Sequence, residues 1–277
     1  MHASTQQHIF QSRLYIERNL GEVLNGEIIA ERAFLSYFHF QHQFKASTGE
    51  SVWQYVKRLR MEKAAFLLLF TSSPVSDVAF GAGFETAAAF SKAFRAWHGQ
   101  SPQQYRQQHL QHHSASQGLS YNWNAVKQVR LPAQKVVSFR AEGIQQFPQG
   151  YFKWQQLAGS LAEQNVALIG RSPDQPGITP YSKLRWDTAV PEACLPQGLK
   201  QELTQEQLLF EDSLPGGHYL VVPFTGFGRP LPAHLPAILA YLRKQGLEWR
   251  PSGYSFQVLR QHETDSRCST DLFIPVL

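Results

Sequence analysis

Through the first hundred residues apolar positions recur every three to four residues, whereas beyond Ala125 they gather into short β-rich runs punctuated by glycine and proline. The first spacing is that of amphipathic helices and the second that of strands. Ile9, Leu14, Ile16 and Leu20 mark a first helix over His8 to Leu20, closed by Gly21. Residues 27–33 (EIIAERA) form a short helix, and Ser36 is placed to cap another over Tyr37 to Ala46. From Val52 to Phe70 a long helix is predicted, with Val52, Tyr55, Val56, Leu59, Leu67 and Leu68 inward and Lys57, Arg58 and Arg60 outward. Asp77 to Arg106 then reads as a short helix ending at Val78–Phe80, a turn at Gly81 and Gly83, and a second helix capped by Thr86. On that helix Phe90, Phe94 and Trp97 face a core, with Ser91, Lys92 and Arg95 opposite. Gly99 ends it, and Ser101-Pro102 starts one more. Helix, glycine turn and helix in that order are a helix-turn-helix signature.

The later runs are 126–131, 135–143, 166–171 and 183–190, with a helix from Tyr151 to Gln164 between the second and third. After Pro215-Gly216-Gly217 come a strand over 218–224, a helix over Ala233–Gln245 and strands over 254–260 and 271–277. The order strand, helix, strand, strand thus occurs twice, which predicts an α+β domain of two related halves. Between the two regions, residues 107–122 are rich in Gln, His and Ser and read as a linker. His109, His112 and His113 within it have no nearby cysteine or carboxylate to complete a metal site and read as solvated.

Gly83-Phe84, Phe90, Phe94, Gly99, Ser101-Pro102 and Tyr105-Arg106 together resemble the C-terminal signature of AraC-type transcriptional regulators. The resemblance implies an all-α domain of two helix-turn-helix units joined by a long helix, so an earlier copy is expected, and residues 27–49 supply it. Phe34 stands there in place of the family's turn glycine. On its second helix Phe38, Gln41, His42 and Lys45 fall opposite Tyr37, Phe40 and Phe44 and form the expected DNA face. The downstream reading positions are Thr86, Ala87, Ala88, Ser91, Lys92 and Arg95. A linker helix of about 18 residues spans nearly 30 Å at 1.5 Å per residue, close to one duplex turn. Double-stranded DNA and RNA polymerase are the partners the resemblance implies, and activation the direction.

Asp174-Gln-Pro176, Leu184-Arg185-Trp186-Asp187, Leu214-Pro-Gly-Gly217, Gly226-Phe227-Gly228 and Ile274-Pro275-Val276 make residues 126–277 similar to a GyrI-like effector-binding domain. This implies an aromatic pocket with a glutamate near its floor. Tyr151, Trp154, Trp186, Phe227 and Tyr254 are the aromatic candidates and Glu263 the carboxylate, although Asp265 stands where the family often has a tyrosine. Packing in a core is the alternative reading of each aromatic. The expected effector is a planar organic cation. The expected division is 1–110 for the double helix-turn-helix domain, 111–124 for the linker and 125–277 for the GyrI-like domain.

Composition changes this picture little. A chain of 277 residues is long enough for two cores. No run reaches the roughly 18 apolar residues of a membrane span, and residues 1–20 lack a signal peptide's apolar stretch, so a cytoplasmic location is expected. The net charge of +5 favours polyanionic partners. It does not single out a DNA-binding half, because residues 1–113 hold 11 Lys and Arg against 8 Asp and Glu. Cys194 and Cys268 match no zinc spacing and read as packed thiols. Gly81-Ala-Gly83 follows a helix where a dinucleotide site needs a strand, and no nucleophile elbow occurs, so the sequence supports neither a cofactor nor an enzyme. A monomer is expected, since residues 107–125 carry no heptad pattern; contacts between effector domains are the other route to a dimer. The competing function is a C-terminal domain acting alone, as a topoisomerase-modulating or toxin-binding module or as a small-molecule hydrolase.

Overall fold

The computed structural model describes residues 3–112, 121–143, 149–150, 153–154, 168–174, 178–195, 209–225, 235–250, 255–259 and 269–277. The chain divides into two compact units, Met1–Gln111 and His112–Leu277.

The first unit is all helix: α1 (Ala3–Arg18), α2 (Gly26–Arg32), α3 (Tyr37–Thr48), α4 (Val52–Phe70), α5 (Val75–Gly81), α6 (Ala87–His98) and α7 (Pro102–His112). Its sequence repeats itself. Phe40, Phe44, Gly49, Ser51, Gln54 and Tyr55 recur fifty residues later as Phe90, Phe94, Gly99, Ser101, Gln104 and Tyr105, and each pair does the same work. The four phenylalanines are fully buried. Tyr55 packs edge-on against Phe44 at 5.4 Å and Tyr105 against Phe94 at 5.3 Å. Gly49 and Gly99 end α3 and α6 at φ 75° and 76°, a left-handed conformation that costs other residues about 1–2 kcal/mol. Ser51 with Gln54, and Ser101 with Gln104, form reciprocal capping boxes at the next helix.

The repeat breaks informatively in the turns. Gly83 between α5 and α6 has φ 77°, and its counterpart between α2 and α3 is Phe34 at φ 55°, among the described residues the one non-glycine with positive φ. The turn geometry is therefore kept without the glycine, at a steric cost. The Phe34 ring is 80% exposed and lies 5.0 Å from that of His8, too little burial to offset the strain. Phe34→Gly is expected to stabilise the first unit by about 0.5–1 kcal/mol, the strain relieved less the greater entropy of an unfolded glycine; a thermal melt that falls instead would show that the ring contributes more than the strain costs.

Two inward assignments shift. Arg58, expected outside on α4, is 5% exposed and forms ion pairs with Glu50 (3.0 Å) and Glu62 (3.2 Å). Three charges inside one network satisfy one another, which amphipathic spacing does not register. Trp97 is 44% exposed rather than buried; His98 and Tyr105 pack on Phe94 in its place. Ser36 precedes α3 as expected, but its side chain makes no capping bond, whereas Asn25 Oδ1 caps α2 through Glu27 N (2.8 Å) and Ile28 N (3.3 Å).

The second unit is α+β. Its described strands are β1 (Lys127–Leu131), β2 (Gln134–Glu142), β3 (Leu168–Arg171), β4 (Arg185–Pro191), β5 (Leu209–Leu214), β6 (Gly217–Thr225), β7 (Phe256–Leu259) and β8 (Ser269–Pro275), with helix α8 (Leu235–Gln245) between β6 and β7. They form an antiparallel sheet in the order β1-β6-β8-β7-β3-β4-β2-β5. The two halves β2-β3-β4 and β6-β7-β8 meet at β3 and β7, as a duplicated unit requires. β5 escaped the sequence reading because Glu211-Asp212-Ser213 interrupts its apolar positions. It completes an exchange: β1 runs through Pro132-Ala133 into β2 yet pairs with β6, and β5 runs through Pro215-Gly216 into β6 yet pairs with β2. The two connectors touch, since a Cβ on Gly216 would lie 2.6 Å from the Ala133 nitrogen. Both outer strands carry charges, Lys127 and Arg130 on β1 and Glu211 and Asp212 on β5, which discourage pairing with another chain.

Candidate nucleic-acid interface

Helix α3 presents Phe38, Gln41, His42 and Lys45 to solvent, with Phe38 83% exposed, because Phe40 and Phe44 anchor its opposite face. Tyr37, expected on the core side, is half-buried. On α6 Ala88, Ala89, Lys92, Arg95, Ala96 and Trp97 are exposed, with Ala87 and Ser91 half-buried. Thr86 Oγ1 accepts a hydrogen bond from Ala89 N at 3.1 Å and starts the helix. Around the positions that match Phe38, Gln41, His42 and Lys45 the two helices thus expose unlike chemistry: α3 an aromatic ring, an amide, an imidazole and an ammonium, α6 methyl groups and two cations. Hydrogen bonds to base edges need side chains of the first kind.

Within the first unit, the two helix-turn-helix segments are tied by a clasp centred on Arg60. From α4 its Nε donates to the Leu20 carbonyl at 3.0 Å and Nη2 to the Glu22 carbonyl at 2.9 Å. The same guanidinium lies against Gly83, where a Cβ would be 2.8 Å from it and 2.7 Å from the Leu20 oxygen. The loop between α1 and α2, the linker helix and the turn of the downstream unit therefore meet where only glycine fits. Burial lowers the Arg60 pKa from its ordinary value, yet a guanidinium keeps its charge at neutral pH. A second arginine, Arg106 of α7, ties the end of α4 through the carbonyls of Leu68 (3.1 Å) and Ser73 (2.6 Å). The sequence placed Arg60 on the outer side of its helix and Arg106 in the family signature, but marked neither as a ligand of distant carbonyls.

In the second unit the alternation of the strands separates two faces. Trp154 and Trp186 both lie on the face of Val137, Phe139, Leu168 and Val190. Trp154 is 2% exposed, and its indole N–H donates to the Thr188 carbonyl at 2.7 Å, so it is held as part of the core. Trp186 is 7% exposed and covers Gly170, where a Cβ would overlap the indole. Tyr151, Phe227, Tyr254 and Glu263 lie outside the described residues, as does most of the helix expected over Tyr151–Gln164. The opposite face carries Val136, Ile169, Ala189, Leu214, Tyr219 and Phe256. It also holds a buried ion network in which Arg140 Nε meets Asp187 at 2.7 Å and Arg171 bridges Asp187 (3.3 Å) and Asp212. Arg185 Nε donates to Asp174 at 2.9 Å.

Cys194 is a free, half-buried thiol. Among the described residues no group of three or more His, Cys, Asp or Glu could hold a metal ion, and no helix is long and apolar enough to cross a membrane.

The family pattern described as "Helix-turn-helix domain" matches residues 29–108. The Right origin-binding protein of Escherichia coli (strain K12) is 31% identical over 93 residues, which are 34% of this chain and 32% of that protein. The HTH-type transcriptional activator RhaS of Escherichia fergusonii is 37% identical over 93 residues, 34% of each chain. This chain thus spans about a third of the length of those relatives. It covers 96% of the Regulatory protein SoxS of Salmonella typhimurium, at 27% identity over 103 residues. Among solved structures, an AraC-type DNA-binding domain protein from Chromobacterium violaceum is 26% identical over 40% of this chain and 99% of its own, with a TM-score of 0.37. The DNA-binding domain of AdpA, solved with a target DNA, is 29% identical over 36% and 91%, with a TM-score of 0.35. Residues 29–108 are a helix-turn-helix domain.

Proposed function

We propose that this protein is a transcriptional regulator that binds DNA sequence-specifically through α3 and α6, set in successive major grooves by α4, and that its second unit receives a small-molecule effector. The observation that carries the DNA reading is the fifty-residue repeat, which builds two helix-turn-helix units with exposed second helices on one clasped scaffold. The names of the relatives RhaS and SoxS, an activator and a regulatory protein, support the same reading. Activation through RNA polymerase and an effector domain of GyrI-like kind follow from resemblance. Trp154 and Trp186, on one face of the sheet, are the described members of the proposed effector site.

The unlike faces assign unlike tasks. α3 reads bases through Gln41 and His42, with Phe38 against thymine methyls, while α6 grips phosphates through Lys92 and Arg95 and reads at most a methyl through its alanines. Selection of binding sites from random duplexes tests this directly. Gln41→Ala is expected to relax one or two positions of the selected site, at about 1–3 kcal/mol, whereas Lys92→Ala weakens all sites alike and lowers the salt slope by about one. Base preference confined to the α6 half-site would overturn the assignment, and no duplex binding at all would overturn the function.

A further inference from the structure

On the face of the sheet opposite Trp154 and Trp186 there is a hollow of about 340 Å³ where the two halves of the second unit meet. Its base is Ile169 on β3 with Phe256 and Val258 on β7, and its side is Phe273 on β8. The rings of Phe256 and Phe273 stack at 4.7 Å and 9°. Pro132 and Pro215, one from each crossing connector, close it at the rim. The connectors are stiff there, because each holds a proline and because Gly216 packs against Ala133 too closely for any side chain.

The chemistry of the walls is as informative as their shape. Nine of the ten lining residues are apolar, and the tenth, Gln134, is uncharged. None of the lining residues carries a charge, and four charges elsewhere on this face, Arg140, Arg171, Asp187 and Asp212, are engaged with one another. A ligand's ammonium or carboxylate entering the hollow would lose hydration with no opposite charge among the lining residues to meet it, whereas an uncharged ring would lie beside a flat aromatic pair. Its volume is at the lower end of the roughly 300–1,000 Å³ typical of ligand pockets.

We infer that the second unit carries a binding site for a small, uncharged, aromatic or alicyclic molecule in the hollow between β3, β7 and the two proline connectors. This site is separate from the face of Trp154 and Trp186, and it stands whether or not that face takes an effector.

The neutral fluorophore N-phenyl-1-naphthylamine, titrated into the full-length protein, tests the inference against two charged probes, the anion 1-anilinonaphthalene-8-sulfonate and the cation rhodamine 6G. Saturable enhancement of the neutral probe, at least tenfold tighter than either charged probe, is expected. Val258→Trp fills the base and Gln134→Trp obstructs the rim from an exposed position that leaves folding intact; each is expected to weaken the neutral probe at least tenfold, while Trp186→Phe on the other face leaves it within twofold. Should Val258→Trp not fold, Gln134→Trp decides alone. No saturable binding of the neutral probe, tighter binding of a charged one, indifference to Gln134→Trp, or loss on Trp186→Phe would each overturn the site.

Discussion

Asp187→Ala is expected to destabilise the second unit by about 3–5 kcal/mol, the usual cost of stranding a buried charge. Asp187 is 1% exposed on β4 and accepts from Arg140 at 2.7 and 3.0 Å and from Arg171 at 3.3 Å. Removing the carboxylate takes from the guanidinium of Arg140, itself 2% exposed, the acceptor of two of its hydrogen bonds. Urea denaturation followed by tryptophan fluorescence should show the transition of the second unit moving to lower denaturant while duplex binding by the first unit persists. The pair itself is not expected to be a net stabiliser: Asp187→Leu combined with Arg140→Met should recover much of the loss, since well-packed apolar replacements of buried ion pairs are often neutral or better. A loss below about 1 kcal/mol in the single variant would mean that the network is hydrated in solution.

Gly83→Ala should be the most damaging conservative change in the first unit, at roughly 3 kcal/mol, because two costs add. The left-handed φ of 77° disfavours any β-carbon by about 1–2 kcal/mol, and the added methyl must displace either the Leu20 carbonyl or the Arg60 guanidinium, a strain of about 1–3 kcal/mol. Its functional signature separates it from simple unfolding. Where the variant remains folded, the clasp between the two reading units loosens, so affinity for a site with correctly spaced halves falls while affinity for an isolated half-site does not. Equal losses on both duplexes would show that Arg60 does not set the spacing.

Helices α3 and α6 were legible in the sequence because each writes its own boundaries locally: serine or threonine before, glycine after, and phenylalanines four residues apart between. The positive φ of the first turn was not legible: Phe34 was read only as standing in place of the family's turn glycine, and a phenylalanine itself signals nothing of the kind. Arg58 and Arg60 could not be placed from periodicity, because a buried cation is decided by carboxylates and carbonyls that lie distant in the chain: Glu50 and Glu62 for the one, Leu20 and Glu22 for the other. All the described strands except β5 were found as apolar runs, but their order and the exchange of β1 and β5 depend on pairings with no local mark. The hollow between the halves draws single residues from several strands, and no stretch of sequence contains it. Arg140 and Asp187 gave a partial signal, as opposite charges in the middle of otherwise apolar runs, and cross-strand pairing of β2 with β4 sets them face to face.

The exchanged outer strands also impose an order on synthesis. The first unit has its whole core by residue 111, so it can fold as soon as that stretch leaves the ribosome. β1 emerges next, but its partner β6 begins at Gly217, about ninety residues later; at typical elongation rates of 5–20 residues per second that is a wait of roughly 5–20 s. For that interval a nascent chain with a finished helix-turn-helix domain trails a strand that has nowhere to pair. The lysine and arginine on β1 then act as gatekeepers of the growing chain until β6 gives that strand a partner, with β8 and β7 following to join the two halves.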